Sequence, residues 1–170
     1  MHQYDYVIVG AGSAGSALAN RLSESGKFTV CLLEAGGSDK KFWVQMPLGY
    51  GKVFHDPSVN WRYMTEPEPN LDNQSVYWPR GKVLGGSSSI NAMVWVRGHK
   101  RDYEEWASVA PGWDWNNVQK IFNRIENWDG TSDVSRGMNG PQAVHDVSSD
   151  VHPLTISYLE AASQIGIKTN

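Results

Sequence analysis

The fold of this chain is decided by the stretch Tyr4-Asp5-Tyr6-Val7-Ile8-Val9-Gly10-Ala11-Gly12-Ser13-Ala14-Gly15. Its first half ends in an apolar run, which predicts a strand buried on both faces of a parallel sheet. A helical pattern then runs to Gly26, a typical helix stop. Phe28 to Leu33 is a second apolar run and predicts a second strand, which ends at Glu34. Residues 1–36 are therefore expected to form one βαβ unit of an α/β fold.

The glycines between the first strand and the helix have the spacing that binds the pyrophosphate of a dinucleotide. Gly10 permits the tight turn, Gly12 lets the backbone approach the phosphates, and Gly15 lets the helix pack closely on the strand. The helix then begins at Ser13 and Ala14, where free N–H groups and a partial positive charge favour an anion. We therefore predict a Rossmann-like dinucleotide site at these five residues.

Glu34, followed by Ala35, lies at the end of the second strand, about 20 residues after the glycine loop as the dinucleotide fingerprint expects. Its carboxylate is expected to accept hydrogen bonds from a ribose 2′-OH and to repel a 2′-phosphate, which disfavours NADP. These features alone do not separate FAD from NAD, so an NAD dehydrogenase stays open on this loop.

Composition excludes several other classes. The chain has 170 residues, a formal net charge of −3 and no run of Lys or Arg, so neither nucleic acid nor an anionic membrane is an expected partner. Val7 to Ala19 is too rich in Gly, Ala and Ser for a signal peptide or a membrane span. The one cysteine, Cys31, is expected to be a small buried hydrophobe. A single thiol cannot form an internal disulfide, which fits a protein of the reducing cytoplasm.

The rest of the chain offers shorter elements. Trp61 to Thr65 and Ser75 to Trp78 predict two short strands joined by a turn-rich segment. A helix is expected after Trp113, capped by Asp114 or Asn116, with an apolar face made by Val118, Ile121, Phe122, Ile125 and Trp128. Pro153 to Ile165 predicts a last helix that ends at Gly166.

A second glycine-rich loop distinguishes FAD from NAD. The run Pro79-Arg80-Gly81-Lys82-Val83-Leu84-Gly85-Gly86-Ser87-Ser88-Ser89-Ile90-Asn91 resembles the first signature of the glucose–methanol–choline (GMC) oxidoreductases. The likeness continues through Ala92-Met93-Val94-Trp95-Val96-Arg97-Gly98, and Trp61-Arg62-Tyr63-Met64-Thr65-Glu66-Pro67 is similar to the choline-dehydrogenase-like branch. The resemblance implies the GMC type of Rossmann-like FAD/NAD(P)-binding fold.

It also implies roles for particular residues. Val83, Gly86 and Ser87 would lie along the FAD, and the segment Asn91, Ala92, Met93 and Val94 would meet the flavin ring. Gly86 has no Cβ, so the backbone can run close to a ligand. Some members of the family attach FAD covalently through a His just before the Asn of this motif. Ile90 holds that position here and cannot form the bond, so FAD is expected to be non-covalent.

The resemblance further implies an oxidoreductase that takes a hydride from the CH–OH group of an alcohol. Family members are several times longer, and their catalytic His lies far toward the C-terminus. We therefore expect no catalytic residue and no metal site in this chain, which would supply the FAD site as the N-terminal part of the domain. Its sheet would be incomplete, and a missing C-terminal region or a separate complementing chain would be its partner.

Within that part, residues 1–36 form the dinucleotide unit, residues 37–100 the loops around the flavin, and residues 101–170 a helical segment leading toward a substrate domain. The fragment alone is expected to be inactive. Two alternatives stay open: a lyase of the same family that keeps FAD, and a binding-only remnant without activity.

Overall fold

A computed structural model describes residues 2–168 as two units, the first running to Val94 and the second beginning at Trp95. The first unit contains β1 (Tyr6–Val9), α1 (Ser13–Ser23), β2 (Val30–Leu33), α2 (Phe42–Gln45), α3 (Tyr50–Val53), β3 (Tyr63–Met64) and β4 (Tyr77–Trp78). The second contains α4 (Lys100–Ala107), α5 (Trp115–Ile125), β5 (Glu126–Trp128), β6 (Gln142–Val144) and α6 (Pro153–Gln164). Short 3₁₀ turns occupy Pro47–Gly49, Pro69–Leu71 and Gly86–Ser89.

The expected βαβ unit is confirmed. β1 and β2 pair in parallel, from Tyr6 opposite Val30 to Val9 opposite Leu33, and α1 connects them. The unit is fastened at its start by Asp5, whose Oδ2 accepts from the Thr29 amide at 2.7 Å and from the Thr29 hydroxyl at 2.8 Å. The backbone bond, followed by the hydroxyl bond, lowers the pKa of the Asp5 carboxyl.

The prediction that the first strand is buried on both faces is wrong for this chain. Ile8 is half-buried toward α1, whereas Val7 and Val9 are 59% and 84% exposed. Parallel sheets normally carry a layer on each face. In the part of the chain that the structure describes, the face with Val7 and Val9 is open to solvent.

The predicted pair of short strands is confirmed as an antiparallel hairpin, with Tyr63 opposite Trp78. Beneath it, Val53, Val59, Val83 and Ile90 form the buried apolar core of the first unit, each at most 3% exposed.

In the second unit, the helix expected after Trp113 is confirmed as α5. Asp114 caps it, and the Asp114 Oδ1 accepts from the Asn117 amide at 3.1 Å. Its expected apolar face is only partly right, because Ile121 is 50% exposed and Trp128 belongs to β5. The last predicted helix is confirmed as α6, with Gly166 at φ +84° just beyond it.

The parallel pairing of β5 with β6 was not predicted, whereas α4 falls almost wholly within the segment 101–170 that was expected to be helical. The Glu126 carboxylate, fully buried at the start of β5, organises this unit. It accepts from Trp95 Nε1, Arg136 Nη1 and the Gly137 amide at 2.9 Å each, and from Arg97 Nη2. Trp95 is therefore half-buried.

Residues 2–168 include no helix that is both long enough and apolar enough to cross a membrane. Over the same residues, no three His, Cys, Asp or Glu side chains are grouped so that they could hold a metal ion.

Candidate functional site

The first glycine loop has the geometry that its spacing predicts. Gly10 has φ +94°, a left-handed conformation that favours glycine. A Cβ on Gly15 would lie 1.9 Å from the Gly10 carbonyl oxygen, so any larger residue would push α1 away from β1. The first N–H groups of a helix have no acceptor within that helix, so the start of α1 can offer backbone donors to an anion.

Glu34 fastens this loop to the end of β2. Its Oε2 accepts from the Ala11 amide and its Oε1 from the Gly36 amide, both at 2.8 Å. The carboxylate is half-buried, and each of its oxygens has a further lone pair for a ligand. Glu34 thus shapes the loop before any ligand arrives, which the sequence did not predict.

The second glycine loop runs directly against the first. The Gly85 amide donates to the Ala11 carbonyl at 2.8 Å, and the Leu84 amide donates to the Gly37 carbonyl at 2.9 Å. Gly86 has φ +58°, and a Cβ on it would meet the Gly12 Cα at 2.8 Å. The loops can therefore cross this closely because Gly86 lacks a side chain, whereas a Cβ on Gly12 would lie 3.9 Å from the Gly86 Cα, an ordinary contact.

Ser87 differs from its two serine neighbours in how its hydroxyl is used. The Ser88 hydroxyl donates to the Gly85 carbonyl at 2.6 Å, and the Ser89 hydroxyl donates to the Leu84 carbonyl at 2.7 Å. The Ser87 oxygen instead accepts from the Gly81 amide at 3.1 Å, and its proton has no acceptor within residues 2–168. Ser87 is thus the serine of this run whose proton is available to a ligand.

These two loops form one wall of an open groove of about 630 Å³. Six predicted site residues line it: Gly10, Gly12, Glu34, Ala35, Gly86 and Ser87. The predicted Ser13, Ala14 and Gly15 lie in the first turn of α1, and their side chains are not part of the lining. Val83 lies beneath the groove with its side chain wholly buried in the core.

The other wall of the groove was missed by the sequence reasoning. Trp61, Tyr63 and Arg80 line it, and the rings of Trp61 and Tyr63 stack 5.9 Å apart and nearly parallel. The Lys82 ammonium lies 4.6 Å from the centre of the Trp61 ring. A signal was present, since the aromatic residues alternate along one strand and the cations alternate along its neighbour.

The predicted flavin-facing segment reaches a second, smaller cavity of about 170 Å³. Asn91 and Met93 line this cavity, together with Trp43, Met46 and Tyr50. The Asn91 Oδ1 accepts from the Met93 amide at 2.8 Å, and Met93 has φ +60°. Ala92 and Val94, also predicted to meet the flavin, are exposed and do not line this cavity.

The histidines of the described residues line neither cavity. His99 and His152 cap α4 and α6 by accepting backbone N–H bonds through Nδ1. His145 forms a solvent-exposed pair with Asp129. Hydrogen bonds from the Asp146 amide and from His145 lower the pKa of the Asp129 carboxyl.

Residues 4–170 match the family model described as GMC oxidoreductase. Among curated relatives, an oxygen-dependent choline dehydrogenase of Photobacterium profundum is 46% identical over 165 residues, which cover 96% of this chain and 29% of that protein. The chain therefore spans about three tenths of the length of this relative.

Solved structures show the same likeness. Pyridoxine 4-oxidase from Mesorbium loti matches with a TM-score of 0.87 and 34% identity, over 96% of this chain and 32% of that one. A formate oxidase variant of Aspergillus oryzae, solved to follow the effect of a mutation on FAD modification, matches with a TM-score of 0.83 and 26% identity, over 96% and 30%.

Proposed function

Because this chain belongs to the GMC oxidoreductase family, we propose that it forms the FAD-binding part of an enzyme that oxidises alcohols and holds FAD without a covalent bond. The observation that carries the proposal is the groove between the wall of glycine loops and the aromatic wall. Its walls present N–H and O–H donors, a carboxylate and a stacked aromatic pair, which are the groups that a dinucleotide requires.

The residues of the groove fit the cofactor on independent grounds. The loops cross where a Cβ on Gly86 would meet Gly12, so backbone atoms without side chains over them line this part of the groove. The donors at the start of α1 and the Ser87 proton suit the pyrophosphate, and Glu34 suits the ribose hydroxyls. Of the wall that the sequence reasoning missed, Trp61 offers a ring on which adenine can stack.

The chemistry of such a site is divided between cofactor and protein. FAD, when bound, supplies a hydride acceptor at N5 for the oxidation of an alcohol. The residues of this chain would bind and orient it, with Asn91, Ala92, Met93 and Val94 at the ring end. Ile90 is 3% exposed and packs in the core, and its aliphatic side chain offers no atom for a covalent link. The base that takes the alcohol proton would come from outside the described residues.

Choline and pyridoxine are the first alcohols to test, because relatives of this chain are named for them. The experiment is to purify the enzyme of which this chain would form the FAD-binding part, precipitate it with acid and look for yellow FAD in the supernatant. The native protein is then mixed anaerobically with each alcohol while the flavin absorbance is followed. Release of FAD and bleaching by an alcohol are the expected results.

Other outcomes would contradict particular parts of the proposal. A yellow pellet would contradict non-covalent binding, and a protein that takes up NAD instead of FAD would contradict the cofactor. Bound FAD that no alcohol bleaches would favour a lyase or a binding-only protein. The cytoplasmic location that the single cysteine suggests stays a prediction.

A further inference from the structure

Asn60 is a buried amide in the first unit whose side chain is only 2% exposed. Its Oδ1 accepts from the Arg62 amide at 2.8 Å and from the Arg80 amide at 3.0 Å. Its Nδ2 donates to the Phe54 carbonyl at 2.9 Å and lies 3.4 Å from the Tyr77 hydroxyl oxygen. Both ends of the side chain are therefore fully engaged, although Asn60 does not line the groove.

The Asn60 oxygen replaces one rung of the β3–β4 ladder. The pairing of β3 with β4 continues in the same register toward Val59 and Lys82. The Lys82 amide donates to the Val59 carbonyl at 2.7 Å, and the Trp61 amide donates to the Arg80 carbonyl at 2.9 Å. A hydrogen-bonded antiparallel pair normally exchanges two bonds. At the Trp61–Arg80 pair, the returning N–H of Arg80 bonds to the Asn60 side chain instead of the Trp61 carbonyl.

The same oxygen holds the backbone in an unusual conformation just beyond this pair. Arg62 has φ +58°, which is uncommon for a residue with a side chain, and its amide bonds to the Asn60 oxygen. Arg62 separates Trp61 from Tyr63, the two residues whose rings stack along the groove. One buried oxygen thus holds the backbone on both sides of Trp61 and at Arg80.

We propose that Asn60 is a positioning residue of the groove, which holds Trp61, Tyr63 and Arg80 in the arrangement that receives the adenosine end of FAD. The inference rests on the proposed function, because Glu34, the expected ribose ligand, lines the same groove. Asn60 acts through its neighbours and touches no cofactor atom. Its side-chain oxygen is the important atom, since the amide nitrogen reaches only Phe54 and Tyr77.

The test compares three variants of the protein after removal of bound flavin, with FAD and ADP as probes in calorimetric titrations. Asn60→Ser has a hydroxyl too short to reach both N–H donors and is expected to weaken both probes at least tenfold. Asn60→Asp keeps the accepting oxygen but places its second oxygen against the Phe54 carbonyl, so its melting temperature should fall while both affinities stay within threefold of the unsubstituted protein. Tyr77→Phe removes a neighbouring hydrogen bond to the Phe54 carbonyl and should lower the melting temperature with affinities unchanged.

Several results would overturn the inference. One is an Asn60→Ser variant that binds both probes normally. Another is a loss of affinity in Tyr77→Phe that matches that of Asn60→Ser at equal loss of stability, because Asn60 would then be merely structural. If Asn60→Ser does not fold, Asn60→Asp decides, and a tenfold loss of affinity in the folded Asn60→Asp protein would contradict the role of the oxygen. An unsubstituted protein that binds neither probe would instead refute the proposed function, and this inference with it.

Discussion

Replacing Glu34 by Gln is expected to damage the cofactor site nearly as much as replacing it by Ala. Each carboxylate oxygen of Glu34 accepts one backbone N–H, from Ala11 and from Gly36, at 2.8 Å. Glutamine has one accepting oxygen and one NH₂ group, so either orientation of the amide points a donor at a backbone donor. The glycine loop therefore loses one of the two hydrogen bonds that Glu34 accepts, and the remaining bond goes to a neutral acceptor instead of a charged one.

The magnitude follows from those bonds. A hydrogen bond to a charged group contributes about 1.5–3 kcal/mol. At about 1.4 kcal/mol per factor of ten, the loss of one such bond weakens FAD binding roughly tenfold to a hundredfold. Glu34→Ala removes both ties and any bond to the ribose, so its loss should be at least as large. Because the ties exist without ligand, the melting temperature of the flavin-free protein should fall as well.

Fluorescence titration of the flavin-free protein with FAD measures the affinity, and thermal unfolding measures the stability. Glu24→Gln is the matched control, because Glu24 makes only an exposed ion pair with Arg21 at 3.2 Å and should change neither value noticeably. If Glu34→Gln bound FAD as tightly as the unsubstituted protein and unfolded at the same temperature, the ribose and loop roles assigned to Glu34 would both be wrong. A fall in stability without a fall in affinity would leave Glu34 a structural role only.

Three further predictions concern both units. Gly86→Ala should reduce FAD binding and stability together, because its Cβ would meet the Gly12 Cα at 2.8 Å and φ is +58°; an alanine variant with normal FAD affinity would contradict the crossing of the loops. Glu126→Gln should lower the free energy of unfolding by about 3–5 kcal/mol in chemical denaturation, since it leaves Arg97 without its buried partner. The pKa of Asp5 is lowered from 3.8, chiefly by a backbone hydrogen bond, so its stabilisation is complete above pH 3.8 and lost as pH falls through the folded value. Acid unfolding of Asp5→Asn should accordingly depend less on pH, and an unchanged pH profile would contradict this.

The parts of the fold that are local in sequence were predictable. The βαβ unit follows from two apolar runs, a glycine loop and a helical pattern, all within residues 4–34. The caps at Asp114 and Gly166 follow from the chemistry of helix ends. In each of these cases a few neighbouring residues determine the structure, and no distant contact overrides them.

The Glu126 cluster shows why the second unit was harder to predict. Nothing beside Glu126 in sequence indicates burial, because its partners come from Trp95 and Arg97 on one side and Arg136 and Gly137 on the other. A carboxylate at the start of a three-residue strand is indistinguishable in sequence from a solvated one. Only the pairing of β5 with β6 and the folding of distant loops bring two arginines to it.

The two walls of the candidate site differ in the same way in how far the sequence predicts them. The glycine wall could be predicted, because a glycine at a turn or a crossing reflects a local steric requirement that no other residue meets. For the aromatic wall, the alternation of Trp61 and Tyr63 indicates one face of a strand but not what that face lines, which depends on the register of the hairpin and on the bond from the Arg80 amide to the Asn60 oxygen. That oxygen bonds to the backbone amides of Arg62 and Arg80, beside the two rings, yet the sequence around Asn60 indicates only an ordinary turn residue. The specificity of this groove for the adenosine end of a cofactor would therefore depend as much on a buried amide as on the glycines that mark the site.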